Sequence, residues 1–224
     1  ERAGAEALIV GASGEQGQEG RGSRTGTGTG TGTGIGTGTG NEGECRGDSI
    51  SINTNVNTRT NVDVDAIVLP GVGAFRDGSS ALRGFGGYIE EVKSGKPLLG
   101  LCLGMQLLFT KGFEGGEFPG LGLIKGDVVK MTGAVRIPHM GWNSIQLVKE
   151  SPITAELKDG DFFYFVHSYF CRPQEDATVA YTEYGTRIPA IVQKANIFGV
   201  QFHPEKSSRT GGIVLRNFVE AVKR

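Results

Sequence analysis

Cysteine, histidine, surplus charge and long apolar runs are all scarce in this 224-residue chain, and each shortage excludes something. The charges nearly cancel, 23 Lys plus Arg against 24 Asp plus Glu. No long-range field is left to draw nucleic acid or an anionic membrane, so a small, locally bound substrate is expected instead. No apolar run approaches the roughly 20 residues that cross a bilayer. The first residues, Glu1 to Ala5, do not form a charged leader followed by an apolar core, and a cytoplasmic protein is expected. The three cysteines, Cys45, Cys102 and Cys171, are odd in number and widely spaced, which suits neither a disulfide framework nor a CxxC metal site. Three scattered histidines do not make a metal site either, so neither metal nor cofactor is expected. The length suffices for one sizeable domain with a closed core.

What the chain has in abundance is glycine, 38 residues of it, crowded toward the amino end. Thr25 to Gly40 is almost pure Thr-Gly alternation. Such a stretch offers no apolar burial to offset the backbone entropy of glycine, so residues 1–61 are expected to be an atypical, largely disordered segment. Within it, Ala5 to Gly11 has the short apolar run of a buried strand, and Ser49 to Ile52 suggests a brief second one. From residue 62 to 224 the pattern becomes that of a packed α/β domain. Val64 to Leu69 reads as a strand running into the tight loop Pro70-Gly71-Val72-Gly73. A helix capped by Ser79 or Ser80 follows, its apolar face formed by Leu82, Phe85, Ile89 and Val92, and it stops at Gly95 and Pro97. The unbroken apolar run Pro97 to Leu101 suits a central parallel strand covered on both faces. Further strands are expected over Leu121–Met131, Ser144–Val148, Phe162–Phe170 and Thr178–Tyr184, with a hairpin from Ala190 to Phe202 turning near Asn196. A last helix would turn Ile213, Phe218, Val219 and Val222 inward.

Gly100-Leu101-Cys102-Leu103-Gly104 ends the central strand and opens the helical stretch Met105 to Phe109, the strand, sharp turn, helix context of a nucleophile elbow. A side chain projecting from so tight a turn needs small neighbours two residues away. The following helix start favours the thiolate and offers the Leu103 N–H to a developing oxyanion. A buried structural cysteine beside packing glycines is the plainer alternative. A thiol nucleophile needs a base, and His203 is the best placed of the three histidines. It follows the apolar strand Ile197 to Phe202, and in extended backbone Glu205 projects to the same face, able to accept its Nδ1–H. His139 has no acid at matching spacing. His167, in an aromatic strand, reads as a core or pocket-wall histidine.

Five segments occur in the order found in class I glutamine amidotransferases. They are Pro70-Gly71-Val72-Gly73-Ala74-Phe75, Gly100 to Gln106, Pro138-His139-Met140-Gly141-Trp142-Asn143, Tyr164 to Tyr169, and Gly199 to Ser207. The chain resembles that family over residues 62–224, and within it the glutaminases of histidine biosynthesis. The resemblance implies a single three-layer α/β domain with a mostly parallel central sheet. It implies hydrolysis of L-glutamine to glutamate and ammonia, with Cys102 attacking the amide carbon, His203 moving the proton and Glu205 orienting His203. By the same resemblance Leu103, Val72 and Gly73 form the oxyanion hole. Gly71, Gln106, Glu114, His167, Ser168 and Tyr169 bind substrate. Trp142 and Asn143 face the partner, a (β/α)8-barrel cyclase forming a heterodimer with this subunit. At the amino end the family's Asp-Tyr-Gly-x-Gly-Asn loop and first helix are absent, Ala12 to Asp48 standing in their place. A glutaminase feeding another acceptor, or a non-catalytic relic, are the competing readings.

Overall fold

The computed structural model describes residues 6–9, 12–13, 51–53, 64–82 and 85–223. The Gly/Thr-rich segment, and most of the expectation for residues 1–61, therefore lie outside the described residues. In chain order the amino-terminal half holds strands β1 (Glu6–Ile9), β2 (Ala12–Ser13), β3 (Ser51–Asn53) and β4 (Ala66–Val72), helices α1 (Phe75–Ala81) and α2 (Gly86–Lys93), strand β5 (Leu98–Cys102) and helix α3 (Leu103–Leu107). Strands β6 (Phe109–Gly112), β7 (Phe118–Pro119), β8 (Ile124–Lys130), β9 (His139–Ser144), β10 (Gln146–Leu147) and β11 (Phe162–His167) follow. The chain then runs through β12 (Tyr169–Pro173), β13 (Thr178–Glu183), β14 (Arg187–Lys194), β15 (Ile197–Val200) and helix α4 (Ser208–Val222).

Among the described residues the central sheet has the order β10-β13-β14-β15-β5-β4-β1-β3, with β2 also on β4. From β15 through β5, β4 and β1 to β3 every pairing is parallel, whereas β15, β14, β13 and β10 meet antiparallel. Alternation along the two central strands divides the core. Ile67, Leu69 and Leu98 point to one side, into a cluster with Phe75, Val92, Met105, Leu107 and Phe109. Ala66 and Leu99 point to the other, against Phe163, Phe165, Phe202, Val214 and Phe218. The sheet is thus covered on both faces, which is the three-layer α/β arrangement, and it explains the unbroken apolar text of β5. Two smaller sheets complete the fold, β11-β9 and β12-β8-β6-β7.

Several elements differ from the sequence reading for identifiable reasons. The helix assigned to follow Ser79 or Ser80 is two helices, and neither serine caps. Phe75, fully buried, starts α1, and its N–H is taken by the Glu114 carboxylate at 2.6 Å. Ser79 Oγ donates to the Pro119 carbonyl and Ser80 Oγ to that of Arg76. Leu82, Phe85, Ile89 and Val92 do pack on the core as expected, and Gly95, at φ +113°, ends α2. The expected strand Phe162–Phe170 breaks at Ser168, because its halves pair with different partners, β11 with β9 and β12 with β8. Phe218 of α4 is buried and Ile213 and Val222 pack on the core as expected, and Gly211, Val214 and Asn217 are buried with them, while Val219 is only partly covered. The buried Asn217 amide donates to the Ile153 and Ala155 carbonyls.

Helix α3 is five residues long, far below what stands alone in water. It is held by fully buried Met105 and Leu107, each contributing about 2 kcal/mol of burial. Its approach to the sheet is limited by glycine. A Cβ on Gly104 would overlap the carbonyl oxygen of Leu69, and one on Gly100 would lie 2.7 Å from the Met105 nitrogen. Gly104→Ala is accordingly expected to lower unfolding stability by about 3 kcal/mol or more. Gly212→Ala, on the exposed side of α4 with nothing within 4 Å, should raise it by about 0.5–1 kcal/mol. Urea unfolding midpoints measure both, and a Gly104→Ala chain as stable as the parent would refute the close-approach argument.

Candidate active site

Cys102 closes β5 and precedes α3 at φ 52°, ψ −108°, a conformation that costs a non-glycine residue about 1–3 kcal/mol. The strain is held because β5 is locked between β4 and β15 and the next turn is anchored in the core. The turn throws the side chain off the end of the sheet. There the Leu103 N–H meets Sγ, and Gln201 Nε2 lies 3.8 Å from it.

His203 lies three residues beyond β15, the strand beside β5, so the same parallel pairing that carries Cys102 carries His203. Its backbone is pinned to β11: His203 N–H donates to the Tyr164 carbonyl at 2.9 Å, and its own carbonyl accepts from Ser207 Oγ at 2.6 Å. The Nδ1 of His203 is 2.8 Å from Glu205 Oε1. The route to this pair is not the extended strand anticipated from the i, i+2 spacing. Residues Pro204–Lys206 form a 3-10 turn, with Pro204 supplying a fixed φ at its first position. With Nδ1 engaged, Nε2 is the remaining ring nitrogen; it is buried and has no hydrogen-bond partner among the described residues.

Cys102 and His203 open into one cavity of about 380 Å³. Val72, Gly73, Leu103, Gln106, Glu114, His167, Ser168 and Tyr169 also line it, drawn from four parts of the chain. Gly71 does not reach the cavity wall; it lies behind, where a Cβ would come 3.0 Å from Leu103 Cβ. Glu205 reaches the site through His203. Pro138, Val166 and Lys206 are lining residues the sequence reading did not single out. Lys206 had a visible signal, standing next to Glu205.

The class I glutamine amidotransferase family model matches residues 41–222. The chain belongs to that family. It is 51% identical over 163 residues to the imidazole glycerol phosphate synthase subunit HisH of Caldanaerobacter subterraneus subsp. tengcongensis, covering 70% of this chain and 80% of that relative. The subunit of the same name from Methanocaldococcus jannaschii is 45% identical over 155 residues, covering 69% and 79%. Among solved structures, PurLQS from Thermotoga maritima matches with a TM-score of 0.58 at 20% identity, over 77% of this chain and 86% of that one, a likeness of fold. The protein is an enzyme of the class I glutamine amidotransferase type. No helix among the described residues is long and apolar enough to cross a membrane, and they contain no group of three or more His, Cys, Asp or Glu able to hold a metal ion.

The other two histidines of this amidotransferase form a buried chain whose protons can be placed. The Tyr169 carbonyl can only accept, so His167 Nδ1 donates to it at 2.9 Å and His167 Nε2 is bare. His139 Nδ1 therefore donates to that Nε2 at 3.1 Å, and Asn143 Nδ2 donates to His139 Nε2 at 3.2 Å. Both rings are neutral, and burial holds each down to about 4. This removes His139 and His167 as bases. It also turns the Asn143 amide inward, its Nδ2 donating as well to the Glu183 carbonyl, whereas Trp142 beside it is 53% exposed.

Burial pushes the Cys102 thiol up to about 11, and the Glu205 carboxylate adds to the rise. The Leu103 N–H, the Gln201 amide and the Lys206 ammonium oppose it without prevailing. The Leu103 N–H at the helix start does favour the thiolate, as expected, but desolvation outweighs it and the net shift is upward. Because the shift is upward, the thiolate forms only as pH climbs toward 11. Alkylation of Cys102 by iodoacetamide, followed by peptide mass spectrometry, should keep rising about tenfold per pH unit to at least pH 9.5, where an ordinary thiol with a pKa of about 8.5 has levelled off. A plateau below pH 8 would show a preformed thiolate–imidazolium pair and refute this.

Proposed function

We propose that this subunit hydrolyses L-glutamine to glutamate and ammonia with Cys102, His203 and Glu205, and passes the ammonia to a cyclase subunit in histidine biosynthesis. The observation that carries the reading is the strained Cys102 sharing a cavity with a buried His203 whose Nε2 is unpartnered and whose Nδ1 is held by Glu205 at 2.8 Å. The family match and the imidazole glycerol phosphate synthase subunits among its relatives support it.

In this mechanism the Cys102 proton passes to His203 Nε2 as Sγ bonds to the amide carbon. The resulting oxyanion takes N–H donation from Leu103 and from the Val72–Gly73 loop. His203 returns the proton to the leaving nitrogen, ammonia departs, and a γ-glutamyl thioester remains. Water then attacks, His203 takes its proton, and Sγ leaves and is reprotonated as glutamate forms. Because the resting thiol is neutral, His203 moves the proton during the attack rather than before it. Glu205 holds Nδ1 and stabilises the imidazolium. Gln106, Glu114 and the His167–Tyr169 bend hold the substrate. The cytoplasmic placement belongs with this reading, since a catalytic thiol must stay reduced.

The partner would be a (β/α)8-barrel cyclase, the heterodimer being a lyase by reaction class, with Trp142 its exposed anchor and Asn143 meeting it through backbone. Cys102→Ser should abolish glutaminase activity, while Cys45→Ala leaves it within about threefold. His203→Ala should cost more than Glu205→Gln, because an amide still positions the ring but stabilises its charge poorly. A fully active His203→Ala enzyme would sink the triad.

The isolated chain should turn over slowly and accelerate on binding the cyclase. Val72 lies between Gly71 and Gly73, the latter at φ +101°, so the loop's peptide groups can adopt a second orientation at small steric cost. One oxyanion donor is worth on the order of 100- to 1000-fold in rate, which sets the scale of the activation. Steady-state kinetics with saturating cyclase and its nucleotide ligand measure it. No change on adding a cyclase shown to bind would refute the switch, and activation by a different synthase alone would move the enzyme to another pathway.

A further inference from the structure

Gln201 is fully buried beside the nucleophile and has no part in the mechanism so far. Its place follows from register. Strands β15 and β5 pair in parallel with Val200 opposite Leu101, so the next residue on one strand lies beside the next on the other, Gln201 beside Cys102. The Gln201 N–H donates to the Ala190 carbonyl at 2.9 Å, which fixes its backbone.

The orientation of its amide is also determined. The Tyr169 carbonyl can only accept, and Gln106 Nε2 donates to it at 3.0 Å. That nitrogen is also 3.1 Å from Gln201 Oε1, to which it gives its other proton. With Oε1 committed as an acceptor, Gln201 must turn its Nε2 the opposite way, and the atom it meets is Cys102 Sγ at 3.8 Å. Flipping the amide would set two NH2 groups against each other and place an oxygen on the sulfur. Both glutamines are buried, Gln106 at 5% and Gln201 at 0% exposure, so bulk water does not compete for these bonds.

We propose that Gln201 is a catalytic residue, its amide N–H donating to Cys102 Sγ to stabilise the sulfur anion, with the direction of that bond imposed by Gln106 and the Tyr169 carbonyl. The proposal rests on Cys102 being the nucleophile. Sγ gains charge twice, when it loses its proton to attack the amide and when it leaves the thioester during hydrolysis. A donor already oriented in a dry site stabilises the anion without having to reorganise at either moment. The other groups around Sγ are the Leu103 N–H of α3, His203, Glu205 and Lys206 of the 3-10 turn, and Cys171 of β12.

Two variants test the proposal in the whole 224-residue chain. Gln201→Glu keeps the size and the acceptor for Gln106 but turns an oxygen toward Sγ. Gln201→Met keeps the length and removes both polar groups. With glutamine as substrate, each folded variant should lose at least about tenfold in kcat while KM stays within about threefold. Alkylation of Cys102 by iodoacetamide at pH 8 should slow about tenfold, its pH profile displaced to the alkaline side, and more so for Gln201→Glu. Circular dichroism and urea unfolding report folding, and if Gln201→Met does not fold, Gln201→Glu decides. A folded variant with the parental alkylation profile and kcat would reduce Gln201 to a packing residue and overturn the proposal. Activity surviving in Cys102→Ser would instead overturn the nucleophile reading on which it rests.

Discussion

The first turn of α3 lies directly on β4, with no room for a side chain between them, and the placement of Cys102 Sγ depends on that contact. Gly104 faces the Leu69 carbonyl and Gly100 faces the backbone of residues 104 and 105. Any Cβ at either position would lift the helix from the sheet. The angle at which Cys102 leaves β5 would then change, and with it the distance of Sγ from Gln201 and His203. The positive φ of Cys102 is the conformational cost of this junction, of order 1–3 kcal/mol. The buried side chains of α3 offset it several times over.

The same packing that fixes Cys102 also dries it, and drying sets its chemistry. Desolvation raises the thiol to about 11 against three groups that favour the anion. The thiol is therefore neutral at rest, and a neutral thiol reacts slowly with alkylating agents and oxidants. The polar atoms buried with it are joined into directional chains. One runs from Asn143 through His139 and His167 to the Tyr169 carbonyl, and another reaches the same carbonyl from Gln106. A carbonyl that can only accept thus dictates the proton positions of two imidazoles and two amides. Unpaired, these groups would each cost about 1–3 kcal/mol. Paired, they make the pocket wall rigid.

The central strands, the elbow and the His-Pro-Glu pair were legible because each is encoded locally. Strand β5 is a continuous apolar run, Cys102 stands between glycines, and Glu205 is two residues from His203. The helix starts were less legible. Phe75 begins α1 because a carboxylate 39 residues away takes its N–H, and no local pattern announces that partner. The break at Ser168 was hidden for a related reason. The residues of β11 and β12 have the same strand-forming character, and only their pairing with β9 and β8 separates them.

The amino-acid sequence by itself determined which residues carry reactive groups, that the chain alternates strands and helices, and that Cys102 sits at a strand-to-helix turn. These follow from composition and spacing within a few residues. Only the tertiary structure decided the protonation of the site and the direction of the Gln201 amide. A pKa depends on how much water is excluded by segments distant in sequence. The direction of an amide depends on which acceptor the fold brings to it, here a carbonyl 63 residues from Gln106. Electrostatic environment and hydrogen-bond direction are properties of packed neighbours rather than of spacing along the chain.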